Sequence, residues 1–78
     1  MNGQISSIEK AAFRMAFEYY ARHCDPPANQ EADAYSWWCD ANNDAAPLYD
    51  EWKKCELGQE LLLAVHGYIE KKAKAKSA

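Results

Sequence analysis

From Ala34 to Cys55 an apolar or small residue returns at alternating steps of four and three: Ala34, Trp38, Ala41, Ala45, Leu48, Trp52 and Cys55. At 3.6 residues per turn this spacing draws one seam down the side of a helix, and such a seam is buried only when the helix packs lengthwise against others. A chain that contains it is committed to a helical bundle. With 78 residues there is room for a single domain whose core must be efficient. Three tryptophans, five tyrosines and two phenylalanines supply the large apolar surfaces that the aliphatic residues do not. Only three glycines and three prolines interrupt the chain, which favours helix over strand.

Three helices are expected. Ser6 followed by Glu9 has the form of a capping box, and Ile8, Ala12, Met15, Ala16 and Tyr19 follow at helical spacing, flanked by Phe13, Phe17 and Tyr20. The first helix is placed at about 5–24, with apolar side chains over roughly 200° of its surface. So wide a face calls for two neighbours or for a partner chain. Pro26 and Pro27 end it, and Asn29 offers a cap for the second helix, 29–54. Within that helix Asn42, Asn43, Asp44 and Pro47 predict a kink or a one-turn interruption at 43–46, with Asp44 capping the second half. Leu57, Leu61, Leu62, Val65, Tyr68 and Ile69 define the third helix, 57–74, whose last turn carries lysines suited to the negative end of its dipole. Residues 75–78 are expected to fray. Short connections make the whole a three-helix antiparallel bundle, an all-α fold.

Charge is divided unevenly along the chain. Residues 1–22 hold Lys10, Arg14 and Arg22 against Glu9 and Glu18, and residues 53–78 hold six lysines against three glutamates. Between 23 and 52 there is no lysine or arginine at all, while Asp25, Glu31, Asp33, Asp40, Asp44, Asp50 and Glu51 are all acidic. On a helical wheel Asp33, Asp40, Asp44 and Glu51 fall within about 40° of one another, with gaps of roughly 6–10 Å along the axis, Trp37 at their border and Tyr49 also off the seam. The sequence therefore predicts an acidic and aromatic docking face made of Asp33, Trp37, Asp40, Asp44, Tyr49 and Glu51, directed at a basic surface on another protein. A solvated helix face is the plainer reading of the same carboxylates.

Several function classes find no support. Cys24, Cys39, Cys55, His23 and His66 lack the close pairs of a structural zinc site, so no metal or other cofactor is expected. His23 and Cys24 are sequence neighbours that a helix turns about 100° apart, which argues against a cysteine nucleophile and against an enzyme. Three cysteines in no framework spacing are read as reduced thiols, and no basic region followed by an apolar run opens the sequence, so a cytoplasmic location without membrane contact is expected. The terminal lysines are too few on an acidic chain to suggest direct nucleic-acid binding. A second surface remains for self-association: Phe13, Phe17 and Tyr20 on the first helix, and Leu63 on the third beside the notch left by Gly67, are candidate contacts of a homodimer.

Pro26-Pro27-Ala28-Asn29, the pair Trp37-Trp38 and the run from Leu61 to Glu70 together resemble small uncharacterised helical proteins of phages and integrated elements of gut Bacillota. The likeness covers the C-terminal two thirds and rests on helix-packing residues. It implies a mobile-element setting, in which small acidic proteins often inhibit nucleic-acid-binding or defence proteins of the host, as anti-CRISPR proteins do. Two functional expectations stand side by side: an acidic inhibitor-like interaction protein, and a structural or regulatory homo-oligomer that buries helix one.

Overall fold

A computed structural model describes residues 4–77, all in helices and connecting turns among the described residues. The helices are α1 (Ser7–His23), α2 (Ala34–Glu51) and α3 (Glu56–Ser77). Tyr19 reaches His66, Tyr20 reaches Lys72, and Gln59 reaches the Tyr49 carbonyl, so α1 and α3 run parallel with α2 antiparallel between their ends. The expected three-helix antiparallel bundle is the fold, drawn out to 49 × 24 × 16 Å.

α1 starts where its capping box predicts. The Ser6 hydroxyl accepts from the Glu9 amide, and the Glu9 carboxylate accepts from the Ser6 amide and hydroxyl. Those hydrogen bonds hold the Glu9 carboxyl below its ordinary range. Small buried residues on α1, Ala12 and Ala16, allow α3 to come close, and these two helices form the most intimate pair. Met15, Tyr19, Leu62 and Ile69 make the centre of the core, with Trp37, Trp38, Ala45, Leu48, Trp52 and Val65 packed around them. At the start of α3, Gly58 admits the Trp52 ring: a Cβ there would stand 2.7 Å from Trp52 Cε3.

Three boundaries depart from the sequence reading. α2 begins at Ala34, five residues after Asn29, because the chain leaving α1 first crosses the end of α3. Pro26 is buried there, and the Asn29 amide donates to Ser77 Oγ instead of Asn29 acting as a cap. Residues 28–34 then make successive turns, Glu31 N–H to the Ala28 carbonyl and Ala34 N–H to that of Glu31. The interruption expected at 43–46 is not there, since α2 runs unbroken through Asn42, Asn43, Asp44 and Pro47. The reason is tertiary. The Asp44 carboxylate is engaged by Arg22 and His23 of α1 and does not compete for its own backbone. Pro47 costs the helix one hydrogen bond, to the Asn43 carbonyl on the exposed side, while Ala45, Leu48 and Trp52 pack against the core on the other. α2 also ends earlier than predicted, at Glu51, with Trp52 N–H closing onto Leu48.

Nor does the C-terminal segment fray where described. α3 continues to Ser77, with Lys76 donating to Asp25 and to the Pro26 carbonyl. Ser77 Oγ donates to the Ala73 carbonyl. Residue 78, the last of the expected tail, lies outside the described residues.

Candidate protein-docking surfaces

The six residues predicted to form one acidic and aromatic face are divided among four environments. Asp33, Asp40 and Glu51 are exposed, and among the described residues none of the three has a salt-bridge partner. Asp33 occupies the N-cap position of α2 without a side-chain cap bond, its carbonyl instead accepting from Ser36 Oγ and Trp37 N–H. All three carboxylates lie on the flank of α2 that is turned about 100° from the seam, toward the α1 side. They make a ridge, with axial gaps of about 10 Å and 16 Å at 1.5 Å per residue.

Asp44, between them, has left the ridge. Its Oδ2 accepts from Arg22 Nε at 2.9 Å and lies 2.8 Å from His23 Nε2. Burial alone would raise this carboxyl, but hydrogen bonds from His23 and Arg22, with the charges behind them, hold it below the ordinary carboxylate range. Asp44 is therefore an internal strut between α1 and α2.

Trp37 corrects the sequence reading most plainly. It is half-buried and packed on the core, edge-on to Trp38 at 4.9 Å between centroids and to His23 at 6.0 Å, and is not an exposed anchor. On the wheel it lies about 60° from the seam, close enough to be covered once α1 supplies a neighbour. Tyr49 is exposed but lies on the opposite flank, facing α3, where its carbonyl accepts from Gln59 Nε2 at 3.1 Å. With Leu62, Leu63 and His66 it lines a groove of about 250 Å³. Tyr49 cannot share a contact with Asp33, Asp40 and Glu51 across the thickness of one helix.

The expected self-association residues divide in the same way. Phe13 and Phe17 are 50% and 69% exposed on the outer side of α1, and half-buried Tyr20 adjoins them. Leu63 is exposed too, but in the α2–α3 groove, a third of a turn or more away from that side. What completes the α1 surface was not singled out in the sequence: Ala64 and Tyr68 of α3, which with Tyr20 and Val65 enclose an apolar hollow of about 390 Å³. The clue was the width of the α3 stripe, which with Ala64 runs from about 280° through 0° to 80° on the wheel, more than one neighbour covers. Lys72 closes one end of this surface. Its ammonium donates to Tyr20 Oη at 2.9 Å and to the Cys24 carbonyl, and lies 5.2 Å and 5.9 Å from the Tyr20 and Tyr68 ring centres. The bond to Tyr20, ahead of the opposing effect of burial, lifts Lys72 above its ordinary pKa.

The polar interior is arranged for support. Tyr19, fully buried, places its hydroxyl 2.9 Å from His66 Nδ1 and 3.5 Å from the Ala41 carbonyl oxygen, tying all three helices together. Burial, ahead of the nearby Asp44 charge, pushes the phenol up to about 12, so it stays protonated and serves as a hydrogen-bonding group. Cys24, Cys39 and Cys55 are separate free thiols, and among the described residues no three His, Cys, Asp or Glu side chains gather to hold a metal ion. No helix among them is long and apolar enough to cross a membrane. A groove of about 630 Å³ between α2 and α3, floored by Trp38 and His66, carries Glu70 beside Lys71 and Lys74. It thus sets one carboxylate against two ammonium groups. No family model, curated protein or solved structure matches the chain.

Proposed function

We propose that the chain is a non-enzymatic interaction protein that docks the carboxylate ridge of α2 on a basic surface of another protein. The observation that carries this reading is the ridge itself: a thirty-residue stretch without lysine or arginine, from which the fold neutralises Asp44 and leaves Asp33, Asp40 and Glu51 exposed without partners among the described residues. Glu51 adds weight. It sits in the last turn of α2, which holds no basic residue, so its charge opposes the helix dipole. A carboxylate so placed costs the isolated molecule a few tenths of a kcal/mol, up to about 1 kcal/mol, and a cationic partner removes the penalty. Such a ridge contributes mainly to the rate of encounter and to the choice of partner.

In line with the resemblance to phage and mobile-element proteins, the specific form of the proposal is an inhibitor acting in the bacterial cytoplasm. It would occupy the basic surface by which a host nucleic-acid-binding or defence protein holds its ligand, an anti-CRISPR-like role. The ridge would then stand in for the charge of a nucleic acid, and the chain would not bind nucleic acid itself.

Capture from host lysate by the immobilised protein at low and high salt tests this, with Asp33→Asn, Asp40→Asn and Glu51→Gln combined as the comparison. A basic protein should be retained at low salt, released at high salt and not retained by the triple variant. Retention that ignores both salt and the three substitutions would overturn the proposal, because screening and charge removal act on the same attraction.

A further inference from the structure

We propose that the groove between α2 and α3 is a binding site for a nucleoside monophosphate, with the base against Trp38 and His66 and the phosphate at Lys71 and Lys74. The site does not depend on the ridge: Trp38 and Asn42 stand about 160–200° around α2 from Asp40. Gly67 is the first sign that something other than this chain belongs there. A glycine inside a helix destabilises it relative to alanine and is normally kept for close packing or for a positive φ. Gly67 has neither, since its φ is not positive and a Cβ there would meet nothing within 4 Å. It does line the groove, so the missing side chain leaves room in a space of about 630 Å³, the size of a small-molecule pocket.

The order of groups along the groove identifies the ligand. At one end the Trp38 and His66 rings stand 5.5 Å apart at 69°, a corner in which a planar ring can lie on one and meet the other edge-on. His66 Nδ1 is held 2.9 Å from the Tyr19 hydroxyl, whose other contact, to the Ala41 carbonyl, is longer at 3.5 Å. The hydroxyl proton given to Nδ1 puts the proton of the neutral imidazole on Nε2, on the far side of the ring from Tyr19. That nitrogen and the exposed Asn42 amide have no protein partner among the described residues, and together they offer donors and an acceptor to the edge of a base. Farther along α3, at 1.5 Å per residue, come Glu70, about 5–6 Å beyond His66 and Gly67, and the two lysines, about 6–12 Å beyond them. Glu70, Lys71 and Lys74 are exposed and none is in a salt bridge among the described residues. Two free ammonium groups suit a phosphate, and a carboxylate ahead of them suits the sugar hydroxyls that stand between base and phosphate. On a chain of net charge -3 this is a local excess of positive charge, so the groove favours an anion that the rest of the surface repels.

Chemical-shift titration of the isotope-labelled full chain with adenosine monophosphate decides the matter. Saturable shifts at Trp38, His66 and Gly67 should give a dissociation constant on the order of 100 μM. Adenosine alone and inorganic phosphate alone should each bind about tenfold more weakly or less, and Lys71→Gln with Lys74→Gln should raise the constant for the monophosphate by about tenfold. Gly67→Leu should abolish binding, because its side chain leans toward the preceding turn, over the seat beside His66. The same variant should melt no lower than the wild type, since its Cβ enters open space, which separates a blocked groove from a damaged fold. No shifts in the groove up to about 5 mM overturn the proposal, as do phosphate or adenosine binding as tightly as the monophosphate and a folded Gly67→Leu that binds like the wild type. Tighter binding by Glu70→Ala would show that this carboxylate only repels the phosphate, and overturns the assignment of a sugar beside it. A short single-stranded RNA that binds the groove more tightly than the monophosphate overturns the free nucleotide as the ligand. The ridge variants should leave these titrations unchanged and Gly67→Leu should leave salt-sensitive capture intact, so failure of one proposal is not failure of the other.

Discussion

Gly58 and Gly67 both lie in α3, yet replacing each with alanine should move stability in opposite directions. Neither glycine has a positive φ, so alanine is compatible with both backbones. At Gly67 a Cβ would meet nothing within 4 Å, and in the middle of a 22-residue helix the substitution is worth the difference in helix propensity, about 0.8–1 kcal/mol in favour of alanine. At Gly58 the Cβ would stand 2.7 Å, 3.1 Å and 3.2 Å from three atoms of Trp52. Those atoms are the ring edge and its root, and Trp52 is packed on the core, so it cannot swing clear without disturbing that packing. Overpacking of this kind costs about 1–3 kcal/mol, more than the propensity gain returned in the first turn. The two variants should therefore differ by about 2–3 kcal/mol. For a domain of this size about 1 kcal/mol shifts Tm by roughly 6 °C, which places Gly67→Ala above the wild type and Gly58→Ala below it, more than 10 °C apart. Thermal melts followed by circular dichroism, all at one protein concentration so that self-association does not bias the comparison, give the answer. Equal Tm values, or a Gly58→Ala variant more stable than Gly67→Ala, would refute the packing of Trp52 against the start of α3.

Tyr19→Phe should cost about 1–1.5 kcal/mol in urea denaturation, since it removes the hydroxyl that binds His66 from a fully buried position; a loss near zero would mean that this bond contributes nothing. Asp44→Asn should cost about 1 kcal/mol at pH 7, the partners being partly exposed and screened. Because the folded carboxyl is held below its ordinary value, its contribution is complete above about pH 5, where the unfolded carboxyl is ionised, and disappears as pH falls through the folded pKa. The stability gap between wild type and Asp44→Asn should shrink on the acid side, and a gap that is the same at pH 7 and pH 3 would contradict the strut.

What could be read in the sequence was local. The capping box at Ser6 and Glu9 and the seam from Ala34 to Trp52 depend on residues within a few positions of one another, and both are present in the structure. What could not be read was which residues the fold brings together from a distance. Asp44 looked like a member of a ridge and a cap because its partners, Arg22 and His23, lie more than twenty positions earlier. Trp37 looked exposed because its wheel angle is marginal, and only the arrival of His23 decides it. Asn29 looked like a cap because nothing nearby reveals that the loop must first meet Ser77 at the other end of the chain. Tyr68 looked like core because it belongs to a regular stripe, although α1 covers only part of that stripe. Each misreading has the same physical origin: helical periodicity gives the direction of a side chain but not what stands in that direction.

The ridge is tested most directly by its association kinetics with the captured protein. Rate constants measured at several ionic strengths for the wild type and for the Asp33→Asn, Asp40→Asn, Glu51→Gln variant separate encounter from residence. Uncompensated carboxylates that steer docking predict a wild-type association rate that falls steeply with salt, a variant whose rate is lower and nearly flat, and dissociation rates that differ little. Identical salt slopes for the two proteins would show that the exposed acids of α2 take no part in binding.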